Sequence, residues 1–473
     1  MNRNYYFITA AFIGIMATSC KGIAESQMTI TVNGEEYVIS EAENDTIDLL
    51  TLSTEFDAQI SVKSPKNLSN IMVNNTPLKD GTGSVHVDSI AKDYFLTLCW
   101  DSDTGKDTIY LRTLHSSIPQ PTAYGKATSK GDFYLSFVNL RLIEKMDNEG
   151  KILFYRYDPI PIDSIDSTKC PGWWDFKKHS IGDSVYYSYH APDPDFYDCG
   201  FPGYNPGMRI ILNQHYQPID TLQLLESRNG TIKTGDPIDG HDFLTFNRNH
   251  YIMSSYVKID DVYAAYLQEV DSNKVVFDWL STDYIDKTNW LDSAFQKSAG
   301  PDYVHFNAID TLPDGNWLCS FRHISSIVKI NRVENTGDIL WRLGGAEGDS
   351  LYAFHGQHYA RYHEKDSTIT LFNNGNGTGR TQMLRLKVNP NTGEVSKCTI
   401  LHDDGYFTQA CGALTFSGDN MIVGWGIPGD SINNNRILTE YDVNNNEIFS
   451  LFRRQNKPTM NQYIGSYRCI KCE

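Results

Sequence analysis

Three histidines lie at equivalent places in successive stretches of the sequence. His241 begins the stretch HDFLTFNRNHYIMSS, His305 begins HFNAIDTLPDGNWLCSFR, and His358 begins HYARYHEKDSTITLFNNG. Each stretch reads as an apolar strand, a polar turn and a second apolar strand, so we predict that equivalent positions converge in a repeat fold. A single strand histidine is usually a packed or surface residue, and only the recurrence singles these three out. Six other histidines fit no repeat position as well: His179, His190, His250, His323, His355 and His363.

Counting along the hairpins adds a guanidinium and several amides to this set. The turn of the second stretch is PDGN, and counting outward from its middle places Arg322 opposite His305. Asn307 lies two residues beyond His305 and therefore on the same face of the strand. The same count in the third stretch places Asn373 and Asn374 near its histidine. We therefore predict that imidazoles, a guanidinium and amides meet at the mouth of a channel.

This combination of side chains favours the binding or transfer of an anion. An arginine with neutral imidazoles and amides suits a tetrahedral group such as sulfuryl or phosphoryl. A metal ion is the competing use of three histidines, but a neighbouring guanidinium would repel it, so we predict no metal. No nucleophile elbow of a serine hydrolase is visible. The stretch GNGTGR, residues 375–380, precedes no helix and is therefore not predicted to be a phosphate loop.

Six hairpin-like segments are available to position these residues. They lie roughly 55 to 65 residues apart, which is longer than the commoner propeller repeats. A second hairpin precedes each of these segments, so every repeat is predicted to form a four-stranded blade. The six repeats together predict a six-bladed β-propeller. Nothing supplies the crossover helices of a parallel α/β fold. The six segments begin at Ile143, Arg209, Tyr266, Val328, Leu384 and Leu438.

The N-terminal part has the pattern of a separate small β domain. From about Gln27 to Leu114 short runs of alternating apolar residues are separated by turn signals such as Asn33-Gly34 and Thr104-Gly105. A small β-sandwich is therefore predicted, and SSIPQP marks its end. The predicted organisation is a signal peptide in residues 1–20, the sandwich in 21–118 and the propeller in 119–473.

Composition agrees with an all-β fold and excludes some partners. The 473 residues include 28 Tyr, and aromatic residues favour strands. The formal net charge of −17 argues against nucleic acid as a partner, because phosphate contacts need clustered Lys and Arg. It also means that an anionic substrate needs a local positive pocket.

The first twenty residues have the pattern of an export signal. Arg3 precedes an apolar stretch over residues 5–16, which is followed by Ala-Thr-Ser and Cys20. Small residues before a cysteine indicate lipidation, so Cys20 is predicted to carry a lipid anchor; the simpler alternative is a plain signal peptide. We predict an exported protein anchored in the cell envelope, periplasmic or on the cell surface, with the outer membrane favoured.

Eight cysteines remain after Cys20. Cys170 and Cys199 flank one segment and could join it by a disulfide, which the export signal would permit. Cys469 and Cys472 form a single C-x-x-C without a partner pair, which disfavours zinc. The pairing stays open at this point.

Two stretches resemble a known family. Residues 305–345, HFNAIDTLPDGNWLCSFRHISSIVKINRVENTGDILWRLGG, resemble the signature region of bacterial arylsulfotransferases. GQHYARYHEKDSTITLFNNGNGTGR resembles the Gln-His segment that follows it, and the general blade pattern extends the likeness over residues 120–473. The resemblance implies a propeller that passes sulfate from one phenol to another through a transient sulfohistidine. It implies neither the sulfate donor PAPS nor any other cofactor or metal.

The resemblance also implies roles for particular residues. It places the nucleophile at His358, and it places sulfuryl binding at His305, Asn307 and Arg322. His241 matches the earlier channel histidine, which could act as acid and base, as could His305. Two further positions carry weaker implications: Thr408 could match a later family threonine, and Asn373 stands where the family commonly has aspartate.

The predicted partners are small-molecule aryl sulfates and phenols, with the membrane contacted through a lipid anchor. Asn307 and Asn374 are predicted to bind substrate. A homodimer is one option for the N-terminal domain, with membrane spacing and covering of the channel as others. The alternatives are a non-catalytic propeller that binds sulfated or other anionic ligands, and a metal-dependent propeller lyase or hydrolase.

Overall fold

The computed structural model confirms the all-β prediction over the residues that it describes. These residues form strands apart from turns, loops and two short 3-10 turns, Ile39–Glu41 and Ser281–Asp283. None of the described helical segments is long and apolar enough to cross a membrane. The described residues are 28–55, 58–64, 67–159, 171–193, 203–287, 291–295, 301–344, 352–429, 435–453 and 465–473.

The chain divides into two compact units: Met1–Leu52 with Asp57–Ser116, and Ser53–Phe56 with Ser117–Glu473. The described residues of the first unit form two sheets with strand orders β2-β1-β5-β8 and β3-β10-β9-β6-β7. Asn33 and Gly34 both have positive φ, as a tight hairpin turn between β1 and β2 requires. The strands are β1 Thr29–Val32, β2 Glu35–Val38, β3 Thr46–Asp48, β4 Thr51–Ser53, β5 Ala58–Lys63, β6 Ser69–Val73, β7 Thr76–Pro77, β8 Thr82–Val85, β9 Phe95–Ser102 and β10 Gly105–Arg112.

In its described residues the second unit contains six larger antiparallel sheets, which we number I to VI. The first three have the orders β38-β12-β13-β14, β15-β16-β17-β18 and β20-β21-β22-β23. The short strand β19 pairs with β17. The strands are β11 Thr122–Gly125, β12 Asp132–Phe137, β13 Leu142–Met146, β14 Ile152–Tyr157, β15 Trp174–Ile181, β16 Ser184–Pro192, β17 Pro206–Leu212, β18 Pro218–Leu222, β19 Ile238–Asp239, β20 Leu244–Asn247, β21 His250–Ile259, β22 Val262–Asp271 and β23 Lys274–Leu280.

Sheets IV to VI follow in chain order. Their strand orders are β24-β25-β26-β27, β28-β29-β30-β31 and β33-β34-β36-β37-β11, and β32 pairs with β35. The strands are β24 Phe306–Thr311, β25 Trp317–Phe321, β26 Ser326–Ile330, β27 Ile339–Gly344, β28 His358–His363, β29 Thr368–Asn373, β30 Gln382–Val388, β31 Val395–His402, β32 Thr408–Ala410, β33 Ala413–Ser417, β34 Asn420–Gly424, β35 Ile427–Pro428, β36 Arg436–Tyr441, β37 Glu447–Phe452 and β38 Ser466–Cys472.

All six predicted hairpins are confirmed. They are β13–β14, β17–β18, β22–β23, β26–β27, β30–β31 and β36–β37. The sequence repeat did not predict that β38, which follows all the other strands in the chain, forms the edge of sheet I beside β12. The central strands are buried along their length, as in β25 and β26, because neighbouring sheets pack on both faces. One such interface joins sheets III and IV through Leu267, Phe277, Trp317 and Phe321.

Edge strands of successive sheets lie against one another. β38 contacts β15 and β33, β15 contacts β20, and β28 contacts β24 and β33. Asp242, just before β20, adds the link to β24, because its carboxylate accepts the backbone N–H of Ile309 at 3.0 Å. One edge strand from each of the six sheets therefore belongs to a continuous series of contacts.

Asp242 is the common partner of several of these edge strands. Its carboxylate pairs with Lys177 of β15 at 3.0 Å, Arg361 of β28 at 2.8 Å and Arg468 of β38 at 3.1 Å. Burial opposes ionisation, but Arg361, Lys177 and Arg468 hold the pKa of Asp242 well below its ordinary value. A single buried carboxylate thus connects residues from five sheets.

A second buried carboxyl group, Glu144 of β13, lacks such partners. Its side chain is fully buried, and neither oxygen has a hydrogen-bond partner among the described residues. Burial raises the pKa of Glu144 to about 8. The folded protein therefore holds this proton more tightly than the unfolded chain does.

We expect this group to make the protein less stable as the pH rises from about 4.5 to about 8. In that interval the unfolded chain loses the proton and the folded chain keeps it, which costs up to about 1.4 kcal/mol of unfolding free energy per pH unit. Glu144→Gln should flatten this dependence in denaturant titrations at pH 5 and pH 8, whereas the exposed Glu226→Gln should not. If the unfolding free energy changed equally with pH in wild type and Glu144→Gln, the raised pKa of Glu144 would be contradicted.

Candidate functional site

His358 opens β28 and is held in one tautomer. Its Nδ1 lies 3.1 Å from the carbonyl oxygen of Gly356, which only accepts, so Nδ1 carries the hydrogen and also donates to Oδ1 of Asn374 at 2.7 Å. The Asn374 amide nitrogen donates to the carbonyls of Thr408 and Cys411, which fixes its oxygen toward the imidazole. The backbone N–H of Cys411 points at Nε2 at 3.3 Å. Nε2 therefore carries the lone pair.

His241 and His305 each have an aspartate at Nδ1. The distance is 2.6 Å from His241 to Asp239 and 2.5 Å from His305 to Asp302. The two imidazole rings lie with their centroids 4.8 Å apart and their planes at 84°. His305 has φ of +52°, an uncommon value for a residue other than glycine, and Asp302 accepts its backbone N–H. Each aspartate leaves Nε2 of its histidine available.

Arg322 lies opposite His305, as the hairpin count predicted, because its backbone N–H donates to the His305 carbonyl at 2.8 Å. Its guanidinium donates from Nη1 to Nε2 of His323 at 2.9 Å and from Nη2 to the carbonyl of Gln409 at 2.9 Å. The ring of Phe295 lies under the guanidinium, 4.5 Å from its centroid to Cζ. Three contacts from different segments therefore fix this cation.

Three histidines near this cation, His358, His305 and His323, are held neutral by lowered pKa values. Burial, with Arg322 and the other imidazoles, lowers the pKa of His358 and of His305 well below the ordinary value. Burial and His305 lower the pKa of His323 to about 3. Burial raises the pKa of Asp302 to about 6. The cluster thus combines neutral imidazoles with a guanidinium, which is the group that can donate charge-assisted hydrogen bonds to an oxyanion.

The structure brings the four predicted residues of the cluster together. His241 and His305 are in ring contact, Arg322 is hydrogen-bonded to the backbone of His305, and all three influence the pKa of His358. His241 precedes β20 of sheet III, and His305 precedes β24 of sheet IV. Arg322 follows β25 of sheet IV, and His358 opens β28 of sheet V. The four residues thus form one cluster, although they lie far apart in the sequence.

The amides differ in their placement. Asn307 is fully buried and donates to the carbonyl of Gln357 at 2.6 Å, and its Oδ1 has no hydrogen-bond partner among the described residues. Asn374 uses its amide on His358 and on two carbonyls, so its geometry suits orientation of the imidazole rather than contact with a substrate. The side-chain oxygen of Asn373 accepts the backbone N–H groups of His355 and Gly375. An aspartate, which the family commonly has at this position, could accept the same two hydrogen bonds.

Three partners of the site were not predicted from the sequence. Asp239 and Asp302 hold His241 and His305, and His323 holds Arg322. The two aspartates lie two and three residues before their histidines. Acidic residues at such short range were a usable signal. His323 had no comparable signal, because its role depends on the direction of its side chain.

Gly203 forms part of the wall beside His305. A Cβ at Gly203 would lie 2.7 Å from Cε1 of that imidazole and 3.5 Å from Nε2. The next two residues continue the wall: the Tyr204 ring packs edge-on against Tyr256, and Asn205 contacts Asp239. The backbone therefore approaches the site where a side chain would displace an imidazole.

Gly203→Ala is expected to lower kcat/KM for an aryl sulfate by roughly 10- to 100-fold, because displacement of a reacting group by about 1 Å has effects of this size. Gly235→Ala is the matched control. Gly203 has φ of +92° and Gly235 has φ of +90°, but a Cβ at Gly235 would meet nothing within 4 Å. Both variants bear the same backbone strain, so equal losses of activity would show that the wall is not responsible.

Some sequence predictions lie outside the described residues. These are the signal peptide of residues 1–20 with Cys20, and the pair Cys170 and Cys199. Cys469 and Cys472 are described and form no disulfide. Thr408 is buried, and its hydroxyl has no hydrogen-bond partner within the described part of the chain.

Fold and site together define an all-β protein with a buried cluster of neutral imidazoles around a guanidinium. The chain belongs to the arylsulfotransferase (ASST) family, whose sequence model matches residues 196–454, more than half of its length. No protein of curated function matches the chain.

Solved structures give only distant similarities. A protein of unknown function from Bacteroides caccae is 8% identical with a TM-score of 0.41, and the match covers 72% of this chain and 98% of that one. A quinoprotein alcohol dehydrogenase-like protein from Bacteroides thetaiotaomicron is 10% identical with a TM-score of 0.36, covering 91% and 97%. An inactive virginiamycin B lyase variant from Staphylococcus aureus is 13% identical with a TM-score of 0.32, covering 72% and 87%. Similarities at this level carry no argument about the site.

Proposed function

We propose that this protein is a PAPS-independent aryl-sulfate sulfotransferase. It transfers a sulfuryl group from an aryl sulfate ester to a phenolic acceptor by a ping-pong route. The observation that carries the proposal is the lone pair of His358 Nε2, fixed by hydrogen bonds at both ring nitrogens beside Arg322 and two further imidazoles. Membership of the arylsulfotransferase family supports it. No cofactor or metal takes part in this route.

We propose that sheets I to VI form a closed six-bladed propeller within residues 119–473, preceded by a β-sandwich in 21–118. The continuous contacts among the edge strands support closure, as does the placement of Asp242 among residues of five sheets. In a closed propeller the edge strands surround a central axis, which would bring residues far apart in sequence around one sulfuryl group.

In the first half-reaction the sulfuryl group lies among Arg322, His241, His305 and Asn307. Nε2 of His358 gives up its hydrogen bond from the Cys411 N–H and attacks sulfur with the freed lone pair. The N–S bond forms, and the bond from sulfur to the phenolic oxygen breaks. The phenolate leaves, and the imidazole becomes a cationic N-sulfonate. Nδ1–H stays hydrogen-bonded to Asn374, which stabilises this cation. Fixed donors around the sulfuryl oxygens stabilise the charge that spreads over them.

In the second half-reaction an acceptor phenol gives its proton to a histidine and attacks the same sulfur. The N–S bond breaks, and His358 returns to its neutral form. This proton carrier is His241 or His305, because each has an aspartate at Nδ1 that stabilises the imidazolium. The proton that it takes from one acceptor can protonate the leaving phenolate of the next donor.

The test is incubation with 4-nitrophenyl sulfate and no acceptor. The proposal expects one sulfuryl group, about 80 Da, on the peptide that contains His358, together with one equivalent of 4-nitrophenol. Removal of the label by added phenol would complete the ping-pong cycle. Inorganic sulfate binding without covalent label would favour a non-catalytic anion-binding propeller. Activity that is lost with a chelator and restored by a metal would favour the metal-dependent alternative.

We further propose that the protein is exported and anchored in the cell envelope through a lipid on Cys20. The outer membrane is the favoured location, and a homodimer through the N-terminal unit is one arrangement. Labelling with a fatty-acid analogue, with Cys20→Ala as the control, tests the anchor. Wild-type protein without label would overturn it.

A further inference from the structure

We propose that His323 is a positioning residue that holds the guanidinium of Arg322 in the sulfuryl site. The inference rests on the proposed function and adds to it a residue that the sequence pattern passed over. His323 Nε2 accepts Nη1–H of Arg322 at 2.9 Å, and its Nδ1 donates to the carbonyl oxygen of Asp302 at 2.6 Å. Both ring nitrogens are therefore used, and the imidazole has one defined orientation.

The surroundings of His323 strengthen this orientation. Its ring stacks on His305 with centroids 4.6 Å apart, and Phe295 lies 5.1 Å away. Phe295 also lies under the guanidinium of Arg322. His323 and Phe295 thus support Arg322 together.

An arginine needs this support because its long side chain loses conformational entropy when it is fixed. A guanidinium held in advance pays less of that cost when the sulfuryl group binds. The neutral state of His323 is essential, because a protonated imidazole could not accept from Arg322. Burial keeps the pKa of His323 at about 3, so this acceptor persists throughout the working range of pH.

A metal site is the competing explanation of the same residues. Asp302, His305 and His323 each offer a ligand atom within 4.8 Å of the others. However, Nδ1 of His323 carries a hydrogen for the Asp302 carbonyl, and Nε2 accepts from a guanidinium. A cation at Nε2 would have to displace a positive charge at 2.9 Å, which is electrostatically unfavourable. The geometry therefore favours positioning of Arg322.

The experiment is a double-mutant cycle on transfer from 4-nitrophenyl sulfate to phenol. His323→Ala should lower kcat/KM by roughly 10- to 100-fold, as expected when a positioned charged group becomes loose. In the Arg322→Ala background, His323→Ala should lower kcat/KM by less than about twofold, because the guanidinium that His323 holds is already absent. His323→Gln, whose amide oxygen can accept from Arg322, should recover much of the loss.

His179→Ala is the matched control. His179 is 8% exposed and His323 is 6% exposed, and the pKa of each is lowered by burial to about 3, but His179 hydrogen-bonds to Ser188. It should leave kcat/KM within about twofold of wild type. Losses that multiply in the double mutant, or a His323→Gln variant as poor as His323→Ala, would overturn the proposal.

The two proposals fail in different ways. Wild-type protein without transfer would overturn the proposed function, and inorganic sulfate binding measured by calorimetry would still test His323. Binding should weaken by about tenfold or more in His323→Ala and recover in His323→Gln, because an anion depends on the fixed guanidinium. Unchanged sulfate affinity in His323→Ala would overturn the positioning role by itself. Zinc-dependent activity that is lost in His323→Ala would overturn the positioning role and favour the metal site.

Discussion

His358→Ala is expected to abolish sulfuryl transfer from 4-nitrophenyl sulfate to a phenol, with kcat falling by at least about 1,000-fold. Loss of a nucleophile removes the covalent route altogether and leaves only what binding and fixed charges contribute. Release of 4-nitrophenol followed by absorbance measures the effect. Mass spectrometry should show no sulfuryl group on the variant after exposure to donor.

The control for this variant is His363→Ala at the other end of the same strand, β28. His363 hydrogen-bonds to Thr370. The variant His363→Ala should leave turnover within about twofold of wild type. Far-UV circular dichroism and a thermal transition establish that both variants are folded. Retained turnover in a clean preparation of folded His358→Ala would remove the nucleophile from the scheme.

The activity should also persist as the pH falls from 7 to 5. Burial and Arg322 keep the pKa of His358 well below its ordinary value, so Nε2 keeps its lone pair in this interval. A free histidine would lose its nucleophilic form there, because its pKa is about 6.5. Single-turnover release of 4-nitrophenol isolates this step. Asp302 has a pKa of about 6, so the measurement is repeated with Asp302→Asn. A sharp loss between pH 7 and pH 6 in both proteins would contradict a buried, neutral nucleophile.

Asp242→Ala should strongly destabilise the second unit. The variant removes the carboxylate shared by Lys177, Arg361 and Arg468 and the acceptor of the Ile309 N–H. Lys177 and Arg468 keep their ion pairs with Asp175, so the buried charge of Arg361 is the most affected. Removal of one partner from a buried ion pair costs about 3–5 kcal/mol, because the remaining charge stays buried. Urea titration should show the loss as a lower midpoint, and low soluble yield would be an extreme form of the same result.

The matched control is Asp261→Ala, which breaks the exposed ion pair with Lys287 at 3.0 Å. Exposed pairs contribute about 0–1 kcal/mol, so the midpoint should barely move. Asp242→Asn provides a milder variant, because it keeps the shape and the acceptor for Ile309 while removing the charge. A stability of Asp242→Ala equal to that of Asp261→Ala would show that the edge strands do not depend on this carboxylate.

Local patterns in the chain were enough to predict much of the site. The recurrence of His241, His305 and His358 at the start of successive hairpins follows from the periodicity of strands and turns. The position of Arg322 opposite His305 follows from counting around one turn, and the backbone hydrogen bond between them agrees. These features involve residues that are close in sequence.

Other assignments needed knowledge of side-chain direction. Asn374 was predicted to contact the substrate, but its amide is used to orient His358. His323 matches no repeat position in the sequence, although its imidazole accepts a hydrogen bond from Arg322. A strand pattern specifies which face a residue occupies, and it does not specify which neighbour a polar side chain meets there.

The sequence by itself determined the all-β class, the six hairpins and the residue types of the site, because alternation and turn chemistry are local properties. Only the tertiary structure decided that β38 completes sheet I and that Asp242 joins residues of five sheets. It also decided which imidazole nitrogen keeps a lone pair. These features arise where distant segments meet, and their hydrogen bonds and buried charges exist only after the chain has folded.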